Sequence, residues 1–143
     1  MKRLLLTLVA ILGIGATTIS AALEPETFKP EIFKPETFAL RNGTQRTVAR
    51  GELTIRFVSV MEDSRCPVDV NCVWEGNAKI KVKVTDRRGR TKMMELNTNG
   101  EPKGDQFGRY AIRLVNLTPK PTQKLKHMPS RYNARLSIQR VRR

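Results

Sequence analysis

The sequence predicts an all-β protein: an antiparallel sandwich with Greek-key-like connections and about seven strands. Three observations predict it. Apolar and polar residues alternate with a period of two in four separate segments, turn-forming residues punctuate those segments, and no stretch sustains the 3.6-residue period of a helix. A small β-barrel is the alternative reading of the same pattern.

The elements follow in order. Phe38 to Arg41 opens the domain, with Phe38 as its first core residue, and Asn42-Gly43 is a hairpin signal before Gln45 to Ala49. Leu53, Ile55 and Phe57 alternate with Thr54 and Arg56, and the strand runs on to Val60. Ala78, Ile80, Val82 and Val84 alternate with Lys79, Lys81 and Lys83. Asp86 to Arg90, containing Gly89, turns into a weaker strand over Thr91 to Asn97. Tyr110, Ile112 and Leu114 form one half-buried strand, and Tyr132, Ala134, Leu136 and Ile138 the last. Asn97 to Gly108 and Thr118 to Pro129, rich in Gly and Pro, read as two long loops.

Ahead of the domain lie two further segments. Lys2 and Arg3 precede an apolar run from Leu4 to Ile14, and Ser20 and Ala22 fit the −3 and −1 positions of a signal-peptidase site. Residues 1–22 therefore read as a signal peptide cleaved after Ala22, with an uncleaved membrane anchor as the alternative. Residues 23–37 carry an internal repeat, Pro25-Glu26-Thr27-Phe28-Lys29, Pro30-Glu31-Ile32-Phe33-Lys34 and Pro35-Glu36-Thr37-Phe38. Proline every fifth residue forbids a helix, so the segment reads as an extended tether, with Phe28 and Phe33 as points where a partner could adhere. Residues 38–143 make one β-domain. The expected location is periplasmic or extracellular, with no transmembrane span after processing.

The charge narrows the partners. Without Lys2 and Arg3, the 27 basic residues of the chain become 25, against 13 acids, a formal +12. That favours anionic partners at long range. Outside the cytoplasm these are anionic envelope components or acidic proteins. Nucleic acid is disfavoured by the compartment and by the lack of aromatics on outward strand positions. Lys79, Lys81 and Lys83 share one strand face about 6.6–7 Å apart. Arg56, Arg113 and Arg135 occupy outward positions of other strands and would join a cationic face if those strands are neighbours. The same residues could serve only for solubility and as a guard against edge pairing.

Cys66 and Cys72 are the two cysteines of a chain that reads as exported, and they read as one disulfide. Closing so short a loop stabilises by about 2.4 kcal/mol in the chain-entropy model. Zinc would need three or four ligands, and His127 is far away in sequence. Around the pair stands Glu62-Asp63-Ser64-Arg65-Cys66-Pro67, then Cys72-Val73-Trp74-Glu75-Gly76-Asn77-Ala78. Pro67 stiffens the loop, Trp74 is placed to cover the bridge and close one end of the core, and Gly76 allows the turn into the next strand. Asp63 and Arg65 suit a local ion pair or caps on loop amides. Glu62, Asp63, Asp69 and Glu75 lack the spacing of a calcium loop.

These residues resemble a family of small exported bacterial β-proteins, uncharacterised in function, with the form D-S-R-C-P-x-x-V-x-C-x-W-x-G. Asp63, Ser64, Arg65, Cys66, Pro67, Val70, Cys72, Trp74 and Gly76 match it. Asp69 stands where the family form has glycine, and Glu75 where it has alanine. The resemblance extends more loosely to the C-terminus and implies no activity.

No catalytic constellation is evident. There is no G-x-S-x-G and no phosphate-binding glycine loop, and the histidine lies among lysines in a loop. No metal or cofactor is expected. The sequence thus points to an exported, non-enzymatic accessory or binding domain for an anionic envelope component or acidic protein. An interaction or inhibitor module using the Cys66–Cys72 loop is the alternative, and an unrecognised enzyme ranks last. On the export reading, N-terminal sequencing of the secreted product should begin at Leu23. A product in the inner membrane that keeps Met1 would make the segment an anchor.

Overall fold

The computed structural model describes residues 34–123 and 131–141. The signal segment, Phe28, Phe33 and His127 lie outside the described residues. Eight strands form: β1 (Glu36–Arg41), β2 (Gln45–Val48), β3 (Leu53–Asp63), β4 (Ala78–Asp86), β5 (Thr91–Asn97), β6 (Gly104–Phe107), β7 (Tyr110–Thr118) and β8 (Asn133–Arg140). They make two antiparallel four-stranded sheets, ordered β1-β8-β7-β6 and β2-β3-β4-β5. This is the β-sandwich that the alternation predicts. Its path is simpler than a Greek key: strands consecutive in sequence stay neighbours within each sheet, and β1 closes the circuit beside β8.

The pattern dictates the layers. Ile55 and Phe57 of β3 and Ile80, Val82 and Val84 of β4 are fully buried, as are Ile112 and Leu117 of β7 and Ala134 and Leu136 of β8. They interleave between the sheets as one core. The period of two places their neighbours, including Arg56, Lys83, Arg113 and Arg135, on the outer faces.

Three local outcomes differ from the sequence reading. The turn at Asn42-Gly43 forms, with Thr44 N donating to Arg41 O at 3.0 Å and Gly43 at φ 81°. It does not pair β1 with β2. Asn42 N donates to Tyr132 O and Gly43 N to Phe57 O, both at 2.8 Å, so the turn hands the chain from one sheet to the other. The third repeat is not tether: Glu36 and Thr37 pair with Ile138 and Ser137 in β8, and Phe38 is buried beneath the Arg46 guanidinium. Finally, the long loop from Asn97 contains β6. Its Gly104 is needed for close approach, because a Cβ there would lie 2.5 Å from Arg113 Cγ and 2.8 Å from Ile112 O.

Phe57 is the largest of the fully buried side chains. Its replacement by alanine should cost about 3–5 kcal/mol in a chemical denaturation series, with the transition still cooperative.

Candidate functional site

β3 and β4 do not stop at the sheet. Beyond Asp63 the two arms continue as a ribbon: Ser64 N donates to Asn77 O at 2.7 Å, and Cys66 N to Glu75 O at 2.9 Å. Such tight pairing requires Gly76. Its φ is 67°, and a Cβ there would lie 1.9 Å from Ser64 O, inside contact distance. The Cys66–Cys72 disulfide closes the tip, with a Cα–Cα distance of 5.9 Å. Within it, Val70 N reaches back to Pro67 O at 3.4 Å, forming a turn.

Three ties fix this ribbon to the body. The first is the Asp63–Arg65 pair. Arg65 Nε donates to Asp63 Oδ1 and Nη2 to Oδ2, both at 2.7 Å, with the Asp63 side chain wholly buried and the Arg65 side chain nearly so. The same guanidinium donates to Leu117 O and, at 2.8 Å, to Pro119 O. Tyr132 Oη donates to Asp63 Oδ2 at 2.9 Å. Asp63 ends β3 of one sheet, whereas Leu117 and Tyr132 belong to β7 and the approach to β8 of the other. What the sequence suggests as a local pair is therefore a clasp between the sheets.

The second tie is Asn77. Its Oδ1 accepts from Asn99 N at 3.1 Å and Gly100 N at 3.2 Å, while its Nδ2 donates to Asn97 Oδ1 at 2.8 Å. This holds the β5–β6 connection against the base of the ribbon. The third tie reaches the tip. Val68 N donates to Pro121 O at 3.0 Å, and Gln123 N donates to the Asp69 carboxylate at 3.1 Å. The Asp69 carboxylate thus ties the tip to the segment after β7. Sequence reasoning missed Asn77 and Tyr132 as site residues, because an Asn after a turn glycine and a Tyr at a strand start carry no distinguishing signal.

Trp74 overturns its expected role. It is 81 % exposed and does not cap the core; Val73 is 90 % and Val68 63 % exposed. The reason is geometric. Ala78, the first residue of β4, is buried, whereas Trp74 precedes it by four residues and lies beyond the Cys66–Glu75 bond of the ribbon. The end of the core that a tryptophan would cover is already filled by Arg65 and Tyr132, both buried. Beside the ribbon lies a cleft of about 240 Å³ lined by Cys66, Glu75, Asn99, Val115, Asn116 and Lys120.

The cationic candidates separate. Lys83 stands in register with Arg56 and Met93 on the outer face of its sheet. Lys81 stands opposite Glu95, and Lys79 opposite Glu62. Arg113 and Arg135 are on the other sheet, so they face the opposite side of the sandwich and do not extend this patch. Among the described residues, no three of His, Cys, Asp and Glu gather in a metal-binding group, and no helix is long and apolar enough to cross a membrane. Comparison with protein-family models, with curated proteins and with solved structures returns no match to this chain.

The clasp carries a pH signature. Burial pushes the Tyr132 hydroxyl up, and its hydrogen bond to the Asp63 carboxylate adds to the effect, raising it to about 12. Burial also works to raise the Asp63 carboxyl, but the hydrogen bonds from Arg65 and Tyr132 outweigh it and hold Asp63 below the usual carboxylate range. The Asp63 contribution is present above its unfolded pKa, near 4, and lost as pH falls through the lowered folded value. The Tyr132 contribution is complete below its unfolded pKa, near 10, and lost as pH rises toward the folded value. Thermal melts should show both limbs. Asp63→Asn should flatten the acid limb and cost about 3–5 kcal/mol at neutral pH, because it leaves the Arg65 charge buried and unpaired. An unchanged acid limb in that variant would detach the clasp from acid stability.

Proposed function

We propose that this chain is an exported, non-enzymatic binding module that recognises a protein partner with the tip of its disulfide ribbon. One observation carries the reading: a tryptophan four-fifths exposed, beside two exposed valines, on a loop closed by a disulfide and hydrogen-bonded to the body. An exposed indole beside exposed valines makes an apolar patch of the kind that partner proteins cover. A bridge, a buried ion pair and side-chain ties hold the tip in one shape, so a partner would meet it with little ordering entropy to lose. Tryptophan in such a position is a frequent energetic centre of protein interfaces. The disulfide and the N-terminal apolar segment support export.

The lysine strand supports its reading less well. Two of its three lysines stand opposite carboxylates in neighbouring strands, which lowers the net field of that face. Membership of the D-S-R-C-P family is part of this proposal, and it is consistent with the structural use found for Asp63, Arg65 and Gly76.

The test compares variants in affinity capture from envelope and secreted fractions. Trp74→Ser should remove the partner, with a loss of at least about 2 kcal/mol, or roughly 30-fold in Kd. It should leave the melting temperature nearly unchanged, since the side chain lies outside the core. Reduction of the bridge should weaken the same complex. Lys79→Gln, Lys81→Gln and Lys83→Gln together should not. A complex lost with the lysines and kept without Trp74 would transfer recognition to the sheet face.

A further inference from the structure

The end of the sandwich opposite the ribbon gathers arginine. Four pieces meet there: the tight turn Ala49–Gly51, the β4–β5 turn after Asp86, the β6–β7 turn at Arg109 and the last residues of β8. Hydrogen bonds join them. Arg87 Nε donates to Gly51 O at 2.8 Å and its Nη2 to Arg50 O at 3.0 Å. Arg109 Nη2 and Tyr110 Oη both donate to Glu52 Oε2 at 2.7 Å. Val141 N donates to Arg109 O at 2.8 Å. Glu52 is held below the usual carboxylate range by Arg109 first and then Tyr110, with Arg140 acting on it at longer range.

This end thus carries Arg50, Arg87, Arg88, Arg90, Arg109 and Arg140. Its carboxylates are fewer, and they are engaged. Asp86 is paired with Arg90 at 2.7 Å and Glu52 with Arg109 at 2.7 Å, while Glu36 Oε2 accepts Ala49 N at 3.1 Å. Arg50 and Arg88 are exposed, and neither guanidinium meets a carboxylate among the described residues. Arg50 is also held in a strained conformation. Ala49 and Arg50 have φ of 53° and 54°, in the left-handed region that non-glycine residues avoid. Strain of this kind persists only where the surroundings impose it. Here Glu36 holds one side of the turn and Arg87 the other.

We propose that this arginine end is a docking surface for the phosphate groups of anionic lipids, seating the protein end-on against a membrane. Guanidinium groups match phosphate oxygens in bidentate pairs and desolvate more readily than ammonium groups. The arginines are spread over separate turns at one end. That suits many headgroups at once better than one enclosed phosphate. Stacking readers of single-stranded nucleic acid interleave aromatics with their charge. The exposed aromatic among the large hydrophobics described here, Trp74, is at the other end. Membrane docking and partner recognition thus occupy opposite ends of the sandwich, and neither depends on the other.

The test uses the purified exported protein and vesicle sedimentation. Vesicles are of phosphatidylcholine with one-third phosphatidylglycerol, or of phosphatidylcholine alone. The protein should bind the first and not the second, and lose binding as salt rises. The decisive variant joins Arg50→Gly and Arg88→Gln. Glycine relieves the left-handed φ, so the fold should be retained, and the melting curve checks this. Removing two basic charges from the membrane face should lower vesicle affinity roughly 30-fold. Lys79→Gln, Lys81→Gln and Lys83→Gln together should change it little. Equal vesicle binding by the double variant and the wild type would overturn the proposal. So would displacement by inorganic phosphate beyond that by chloride at equal ionic strength, which would mark a free-phosphate site, and so would tighter binding to duplex DNA than to the anionic vesicles.

Discussion

The buried pair of Asp63 and Arg65 is the constraint around which one end of this molecule is built. A two-sheet sandwich must end somewhere, and at its ends strands emerge with carbonyls that need donors. Arg65 supplies them. Four of its bonds run to Asp63, Leu117 and Pro119, so one side chain satisfies a carboxylate and two backbone carbonyls, one in β7 of the facing sheet and one just beyond it. Only a planar, multiply donating cation can do this; lysine would offer a point charge and fewer directions. Burying the two charges is costly in itself, and a pair of this kind is no sure gain in stability over apolar packing. Its value here is positional. It joins the sheets, and it fixes the chain where the ribbon leaves the body.

From that clasp follows the division of the molecule. The ribbon projects because Asp63 and Arg65 are held and because Gly76 lets Glu75 to Asn77 pair closely with Ser64 to Cys66. Asn77 then secures the base, and Asp69 secures the tip. The disulfide adds closure to a loop already tethered on both sides. At the far end the same sheets finish in short turns, where arginines bind backbone carbonyls and carboxylates in place of a clasp. The two ends therefore differ in chemistry for a local reason: one is closed by a buried ion pair, the other by exposed ones.

The β architecture was legible because burial on one side of each strand leaves a period-two record in sequence. Ile55, Phe57, Ile80, Val82, Leu136 and Ile138 were readable as core from that record alone, and all are buried. β6 left no such record. Gly104-Asp105-Gln106-Phe107 has one apolar residue, and its pairing with β7 depends on Gly104 fitting against Arg113. Alternation also tells inside from outside but not one sheet from another. Lys83 with Arg56, and Arg113 with Arg135, all read as outward; only strand order separates them onto opposite faces. The Asn42-Gly43 turn was legible as a turn, yet its two amides bond to different sheets, and nothing local encodes that. Of the candidate site, the disulfide and the need for Gly76 could be read from residue type and spacing. The inter-sheet clasp could not, because Leu117, Pro119 and Tyr132 are more than fifty residues from Arg65 in sequence.

Trp74 shows why composition misleads at such a site. A tryptophan in a chain with few aromatics reads as core, since large apolar groups are on average buried. Its neighbours decide otherwise. Arg65 and Tyr132, less apolar than tryptophan, fill the end of the core because they can also satisfy Asp63 and the carbonyls there, which an indole with one donor could not. The polar demand of the sheet ends thus displaces the most apolar side chain of the region. The displaced side chain lies outside the last backbone bond of the ribbon, on a tip too constrained to fold back over it. An exposed indole held in this way is a consequence of how the sandwich closes, and it supplies the surface from which a recognition element can be made.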